Sequence, residues 1–284
     1  MKAVEYSLGG VKTAAEALSV SHLDWVAEPI GLITESGHAV PTHRAIVRSD
    51  NNGVIGVVGK RYVPLQNPFA FSFFDTLCDK HGARYDRAYV IDGGHKVILE
   101  ATLNGPITIR KGDEVLRKIS IINTFDGSYP LTAQFTIYRQ VCKNGLMGYA
   151  KDNKCRVYHT KNGEANATSA LMILAAGTSF FEKFEAQCRI LSQKIVDKEM
   201  VEKFLKNCFG EETGTRQKNL REKVVECYEA GKGTGKGTLY DLYNGYIEWI
   251  DHFRSADEET RLANAVLGAA YLKEHAFDVV VNML

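Results

Sequence analysis

Between Ile119 and Gly145 the chain reads ISIINTFDGSYPLTAQFTIYRQVCKNG, and this segment constrains the fold more than any other. From Leu131 to Val141 the odd positions are Leu131, Ala133, Phe135, Ile137, Arg139 and Val141; the even positions are Thr132, Gln134, Thr136, Tyr138 and Gln140. A period of two sends alternate side chains to opposite faces of a strand. The spacing therefore predicts one buried apolar face and one water-facing face of neutral hydrogen-bonding groups. The preceding run, Val115 to Thr124, is rich in β-branched residues, and Asp126-Gly127-Ser128 followed by Pro130 supplies turn chemistry between the two strands.

Around this hairpin the elements fall into two halves. Ala45 to Arg48 and Val54 to Val58 read as short strands joined at Ser49 to Gly53, while Pro41 is expected to break the run before them. Asn67-Pro68 opens a helix with Asn67 as N-cap, Phe69, Phe73 and Leu77 form its apolar stripe, and Gly82 stops it. Strands at Arg84 to Ile91 and His95 to Leu103 follow, joined at Gly93-Gly94, with His95, Val97, Leu99, Ala101 and Leu103 expected on one face. Beyond Asn166 the pattern is helical. Ala165 to Lys194 carries a helix-length apolar series, Asp197 caps a helix to Phe209 with Gly210 as its stop, another helix runs to about Ala230, one starts after Thr238, and Asp257 caps the last. The expectation is an α+β fold, an antiparallel sheet with a helix on one face followed by a mostly helical C-terminal half. Its domains are a strand-rich α+β domain over 1–164 and a helical region over 165–284 packed on it.

Charge is concentrated where the hairpin lies. From Ile107 to Lys161 the basic residues are Arg110, Lys111, Arg117, Lys118, Arg139, Lys143, Lys151, Lys154, Arg156 and Lys161, against Asp113, Glu114, Asp126 and Asp152, a local net charge of +6 in a chain of net +1. From Asp251 to Leu284 three basic residues face six acids. Such asymmetry points to an anionic partner and says nothing about fold. No apolar run approaches the roughly 20 residues that span a bilayer, and the amino terminus lacks an apolar core of secretory type, so no membrane or export segment is expected. Six cysteines at wide spacing, with no Cys-x-x-Cys pair, suggest reduced thiols and a cytoplasmic location.

Catalytic and cofactor motifs are weak. Gly231 to Gly237, GKGTGKG, has Ala230 where the Walker pattern requires Gly and Gly237 where it requires Ser or Thr, and a helix precedes it instead of a strand. A looser role remains, with Lys232 and Lys236 holding a phosphate ahead of the next helix. Cys142, Cys155 and His159 are short of the four ligands of a structural zinc site. No nucleophile elbow, HExxH or paired-carboxylate motif links Asp50, Asp92, His95, Glu100, Asp126 and His159. No catalytic residue, metal or cofactor is expected.

Several residues together resemble a known family. Arg48-Ser49-Asp50 with Gly56-Val57-Val58-Gly59, Tyr62 with Gln66-Asn67, Asn123 to Ser128, Arg139 to Asn144, His159-Thr160, and Gly237-Thr238 with Tyr243-Asn244 and Asp251-His252 resemble the phage/plasmid-like family built around a domain of unknown function. The resemblance implies a mobile-element protein in a bacterial cytoplasm and brings no established reaction. The order of helix, antiparallel sheet and long helix is similar to the core of phage single-strand annealing proteins of the Erf, RecT and Red-beta type, which form rings or filaments that hold DNA in a basic groove.

These readings converge on an oligomeric, sequence-tolerant binder and annealer of single-stranded DNA. Arg117, Lys118, Arg139, Lys143, Arg156 and Lys161 are expected to neutralise phosphates, with His159 in the same basic loop, and Tyr138 and the Thr/Gln face are expected to meet bases. One alternative is a metal-dependent nuclease or hydrolase using Asp50, Asp126 and His159. Another is a host-directed interaction protein with an apolar patch in place of a basic one.

Overall fold

The computed structural model describes residues 2–140, 144–146, 154–167, 179–211, 213–232, 234–255 and 269–284, with the backbone alone for 80, 81 and 144–146. The fold is α+β, antiparallel sheets followed by a mostly helical C-terminal half. The chain divides into two compact units, and their boundary is not the one expected near residue 164. One unit holds 1–104, 118–135 and 154–177; the other holds 105–117, 136–153 and 178–284. No helix among the described residues is long and apolar enough to cross a membrane.

The first unit begins with β1 (Ala3–Ser7) and α1 (Ala14–Val20), followed by β2 (Ala27–Ile33), β3 (Ala39–Arg48) and β4 (Val54–Gly59), which form a three-stranded sheet in the order β2-β3-β4. Pro41 does not end a strand. Gly31 pairs with Arg44 while Leu32 pairs with Val40, so Pro41 sits in a bulge, where a missing N–H breaks no ladder bond. Helix α2 (Asn67–His81) has Gln66 rather than Asn67 as N-cap, with Pro68 in its first turn and Gly82 as its left-handed stop (φ 61°). Its buried side is Ala70, Phe71, Phe74 and Leu77, with Phe69 and Phe73 half-buried, so the apolar stripe is rotated by one position from the expected one. Phe74 meets Tyr85 edge-on, and Asp75 Oδ1 accepts from both the Tyr85 hydroxyl and the Ala14 N–H, tying α2 to a strand and to α1.

That strand is β5 (Arg84–Ile91), which pairs with β1 and with β6 (Lys96–Thr102). Strand β6 pairs in turn with β8 (Asp113–Thr124) in the register Thr102 to Lys118 through Lys96 to Thr124. Both faces of β6 are buried, Val97, Leu99 and Ala101 on one and Ile98 and Glu100 on the other. Residues 125–130 turn the chain into β9 (Leu131–Arg139), next to β8 in the sheet. The first half of β9 pairs with β11 (Lys154–Val157), which has no second strand partner among the described residues.

In the second unit β7 (Ile107–Arg110) pairs with the start of β8, and β10 (Asn144–Leu146) pairs with the end of β9. Helices α3 (Ser179–Leu191), α4 (Lys198–Phe209), α5 (Thr215–Ala230), α6 (Leu239–Glu248) and α7 (Ala270–Val281) follow, α6 running into a π-helical turn over Trp249–Phe253. Of the long helix expected from Ala165 to Lys194, the described residues are 165–167 and 179–194, helical over 165–167 and α3; 168–178 lie outside the described residues, as does the Asp257 cap. Asp197 caps α4 by accepting from the Met200 N–H, and Gly210 ends it. Thr238 and Asp241 close a capping box on α6, which is buried throughout and packs against α5 and α7. The Phe204, Phe209, Tyr246 and Trp249 rings form one aromatic cluster in this core.

Candidate nucleic-acid interface

The eight residues expected to meet nucleic acid are divided between the two units. Lys118, Arg156, His159 and Lys161 belong to the first unit; Arg117, Tyr138 and Arg139 belong to the second; Lys143 lies outside the described residues. Two of the cations are fully engaged inside the fold. Lys118 is only 3% exposed, its Nζ 2.5 Å from Asp86 Oδ2 and 3.2 Å from Glu100 Oε2, while Ser120 donates to the other Glu100 oxygen. Burial alone would lower the Lys118 pKa, and the two carboxylates outweigh it and raise it, so this ammonium is a permanent internal cation. Arg139 is 1% exposed and paired through two nitrogens with Asp113, its Nε 2.7 Å from Oδ1.

The Arg139 pair is part of a longer chain of charges in the second unit. Asp113 also lies 3.3 Å from Arg110 Nε, and Arg110 reaches Asp241 Oδ1 at 2.6 Å, with the Tyr240 ring beneath both guanidiniums. Burial would raise the Asp241 carboxyl, but the Arg110 and Thr238 hydrogen bonds hold it below its ordinary value. Asp241 thus places an anion at the α6 N-terminus. A phosphate held there by Lys232 and Lys236 would meet an occupied helix end. Arg117 is half-buried, with Nε donating to Gly105 O at 2.7 Å. The even face of β9 is also drier than its alternation predicts. Thr132 and Gln134 are buried, Thr136 and Tyr138 half-buried, and Gln140 alone is exposed. Strand β11 pairs along this half of β9, a partner that the hairpin sequence does not announce.

What the first unit does expose is a shorter basic rim built by β11 and the loop before α2. Arg156 and Tyr158 alternate outward from the β11 edge while Val157 and His159 turn inward. Lys161 follows, also exposed. The loop from Gly59 to Leu65 is fastened beside this segment: Val63 N–H donates to His159 O at 3.1 Å, and Leu65 N–H donates to His159 Nδ1 at 3.1 Å. The loop's two cations, Lys60 and Arg61, are both exposed. No ion pair among the described residues involves Lys60, Arg61, Arg156 or Lys161. Segment 154–167 contains a single acid, Glu164.

His159 is the peg on which this rim hangs, and is not itself part of the surface. It is 6% exposed, and burial pushes its pKa down to about 4, so the ring is neutral at ordinary pH. With Nδ1 accepting from Leu65, the ring proton belongs on Nε2. Tyr62 stacks on the ring and sends its hydroxyl to Thr124 O at 2.6 Å; burial followed by the nearby Asp126 charge raises the Tyr62 pKa. On the far side, Asn123 Nδ2 donates to Leu65 O and Asn67 Oδ1, and Asn67 Nδ2 donates to Leu23 O. Gly56 permits the closest approach in this region, because a Cβ there would lie 2.1 Å from Phe125 O.

Among the described residues the acid/base and metal alternative finds no assembled site. Asp50 forms a bidentate pair with Arg48, whose hydrogen bond is the main cause of its lowered pKa. Asp126 accepts from the Ser128 N–H and hydroxyl in its own turn, 3.8 Å from Lys96 Nζ. Among the described residues no three His, Cys, Asp or Glu side chains come together to hold a metal ion. Of the Cys142, Cys155 and His159 set, Cys142 lies outside the described residues, and His159 spends Nδ1 on Leu65. Sequence reasoning missed Lys60 and Arg61 because they sit far upstream of the charged window it counted; the signal available was Lys60-Arg61-Tyr62 between a strand and a helix cap.

A family model described as a domain of unknown function, DUF932, matches residues 54–269, well over half of the chain, from β4 to the approach to α7. No curated protein and no solved structure matches the chain.

Proposed function

The chain belongs to the family built around the domain of unknown function DUF932, and we propose that this member binds single-stranded nucleic acid without sequence preference and promotes annealing of complementary strands. The observation that carries the reading is the exposed rim of Lys60, Arg61, Arg156 and Lys161, fastened by two hydrogen bonds to His159 and bearing no carboxylate partner among the described residues. Four cations on anchored backbone suit a flexible polyanion, since affinity for a nucleic-acid backbone comes from phosphate neutralisation and counterion release. Annealing asks for strands held by their phosphates with bases left free to pair, and no catalytic group is required. A mobile-element setting in a bacterial cytoplasm and a homo-oligomeric state fit this use and belong to the same proposal.

The test is the affinity for a thymidine oligomer across a salt series, with annealing of two complementary oligomers followed by fluorescence. Each neutralised phosphate contributes about 0.7 to the log–log salt slope on single strands, so four cations give a slope of roughly −3. A slope shallower than about −1, or no binding at low salt, overturns the reading. Binding without any acceleration of annealing removes the second half of it.

A further inference from the structure

We infer that Tyr158 is the base-stacking residue of this interface, and that it makes the surface selective for unpaired strands; this rests on the single-strand reading above. Tyr158 is 72% exposed, more than any other large apolar side chain among the described residues. Its ring enters no aromatic contact and its hydroxyl no hydrogen bond there. The backbone beneath it is nevertheless fixed on every side. Val157 pairs with Leu131, Tyr158 O accepts from the Thr160 N–H at 2.9 Å, and His159 is buried under Tyr62. Gly163 packs so closely that a Cβ there would lie 2.9 Å from Tyr158 O. An aromatic ring held out in water on a rigid edge contributes nothing to the core. It offers a flat apolar face at little conformational cost.

The cations around it set what can lie on that face. Arg156 is two residues earlier on the same side of the edge strand, Lys161 three residues later, and Lys60 and Arg61 on the loop bound to His159. A ring flanked by phosphate-binding cations matches the repeat of a single strand, in which each base is tethered to its own phosphate. Stacking on an aromatic side chain tolerates any base, because every base has a π face. In a duplex the base faces are already stacked on each other, so Tyr158 has nothing to meet.

The experiment compares a thymidine oligomer with an abasic oligomer of equal length and phosphate number, using the full chain and the variants Tyr158→Ala, Tyr158→Leu and Tyr158→Phe. The expected result is that Tyr158→Ala and Tyr158→Leu weaken thymidine binding about five- to hundredfold, leave abasic binding and the salt slope unchanged, and that Tyr158→Phe keeps wild-type affinity. Equal losses on both oligomers, or no loss on either, overturn the assignment while leaving the phosphate-binding reading in place. A wild-type chain that binds neither oligomer in a salt-dependent way overturns both. Thermal unfolding of each variant should match wild type; an unstable Tyr158→Ala that Tyr158→Leu reproduces only on thymidine still supports stacking.

Discussion

The Tyr62 and His159 rings lie 4.7 Å apart and within 11° of parallel, and the loop that carries Lys60 and Arg61 is held in place through that stack. Because His159 Nδ1 accepts from Leu65, protonating the ring turns an acceptor into a second donor facing an N–H. The folded pKa of about 4 lies below the unfolded value of 6.5, so between those values the unfolded chain binds the proton and the folded chain does not. Stability contributed by neutral His159 is therefore complete above pH 6.5 and falls as pH drops toward 4, by about 3 kcal/mol in all. Denaturant midpoints measured between pH 7 and pH 4 should show this loss, and His159→Gln should flatten that part of the curve. An identical pH profile in the variant would refute the assignment.

Much of this architecture was legible in the sequence, and the parts that were not share a physical cause. The capped helices were readable because their signals are local: Asp197 and Gly210 bracket α4, and Thr238 with Asp241 starts α6. The hairpin between β8 and β9 was equally local, since Asp126, Gly127 and Ser128 lie together in its turn. Burial of Lys118 and Arg139 was not readable, because their partners Asp86, Glu100 and Asp113 lie 18 to 32 residues away, and no local pattern distinguishes a solvated cation from a paired one. The count of +6 treated all ten cations as surface. The exposed rim depends on a backbone contact between residues 63 and 159, which alternation and charge counting cannot detect.

Removing the Lys118 ammonium leaves the buried Glu100 and the half-buried Asp86 without the cation they share. Lys118→Ala should cost about 3–5 kcal/mol, read as a shift in the denaturant midpoint. Lys118→Met combined with Glu100→Gln should recover most of that loss, because a neutral pair needs no compensating charge. If Lys118→Ala unfolds at the wild-type midpoint, the ion pair is not holding β5, β6 and β8 together.

Gly56 and Gly59 provide a matched comparison on one strand. A Cβ at Gly56 would lie 2.1 Å from the Phe125 carbonyl oxygen, and neither backbone can yield easily; a Cβ at Gly59 meets nothing within 4 Å. Gly56→Ala should destabilise by about 1–3 kcal/mol, as overpacking does, and Gly59→Ala should be near neutral. Equal effects at the two positions in thermal unfolding would contradict the close approach of β4 to the 125–126 backbone.

The four rim cations should act on nucleic-acid binding as separable, additive charges, in contrast with the two internal ones. Each of Lys60→Gln, Arg61→Gln, Arg156→Gln and Lys161→Gln removes one phosphate partner from an exposed position, so each should weaken binding to every oligomer alike and lower the salt slope by about 0.7. None should move the unfolding midpoint by more than about 0.5 kcal/mol, since exposed residues away from special contacts rarely do. Arg139 behaves in the opposite way: its loss leaves Asp113 buried beside Arg110 alone, so Arg139→Gln should lower stability and leave the slope of the remaining folded protein unchanged. Measuring slope and midpoint on the same five variants separates the two roles. A slope that drops with Arg139→Gln but not with the four rim substitutions would move the binding surface away from β11 altogether.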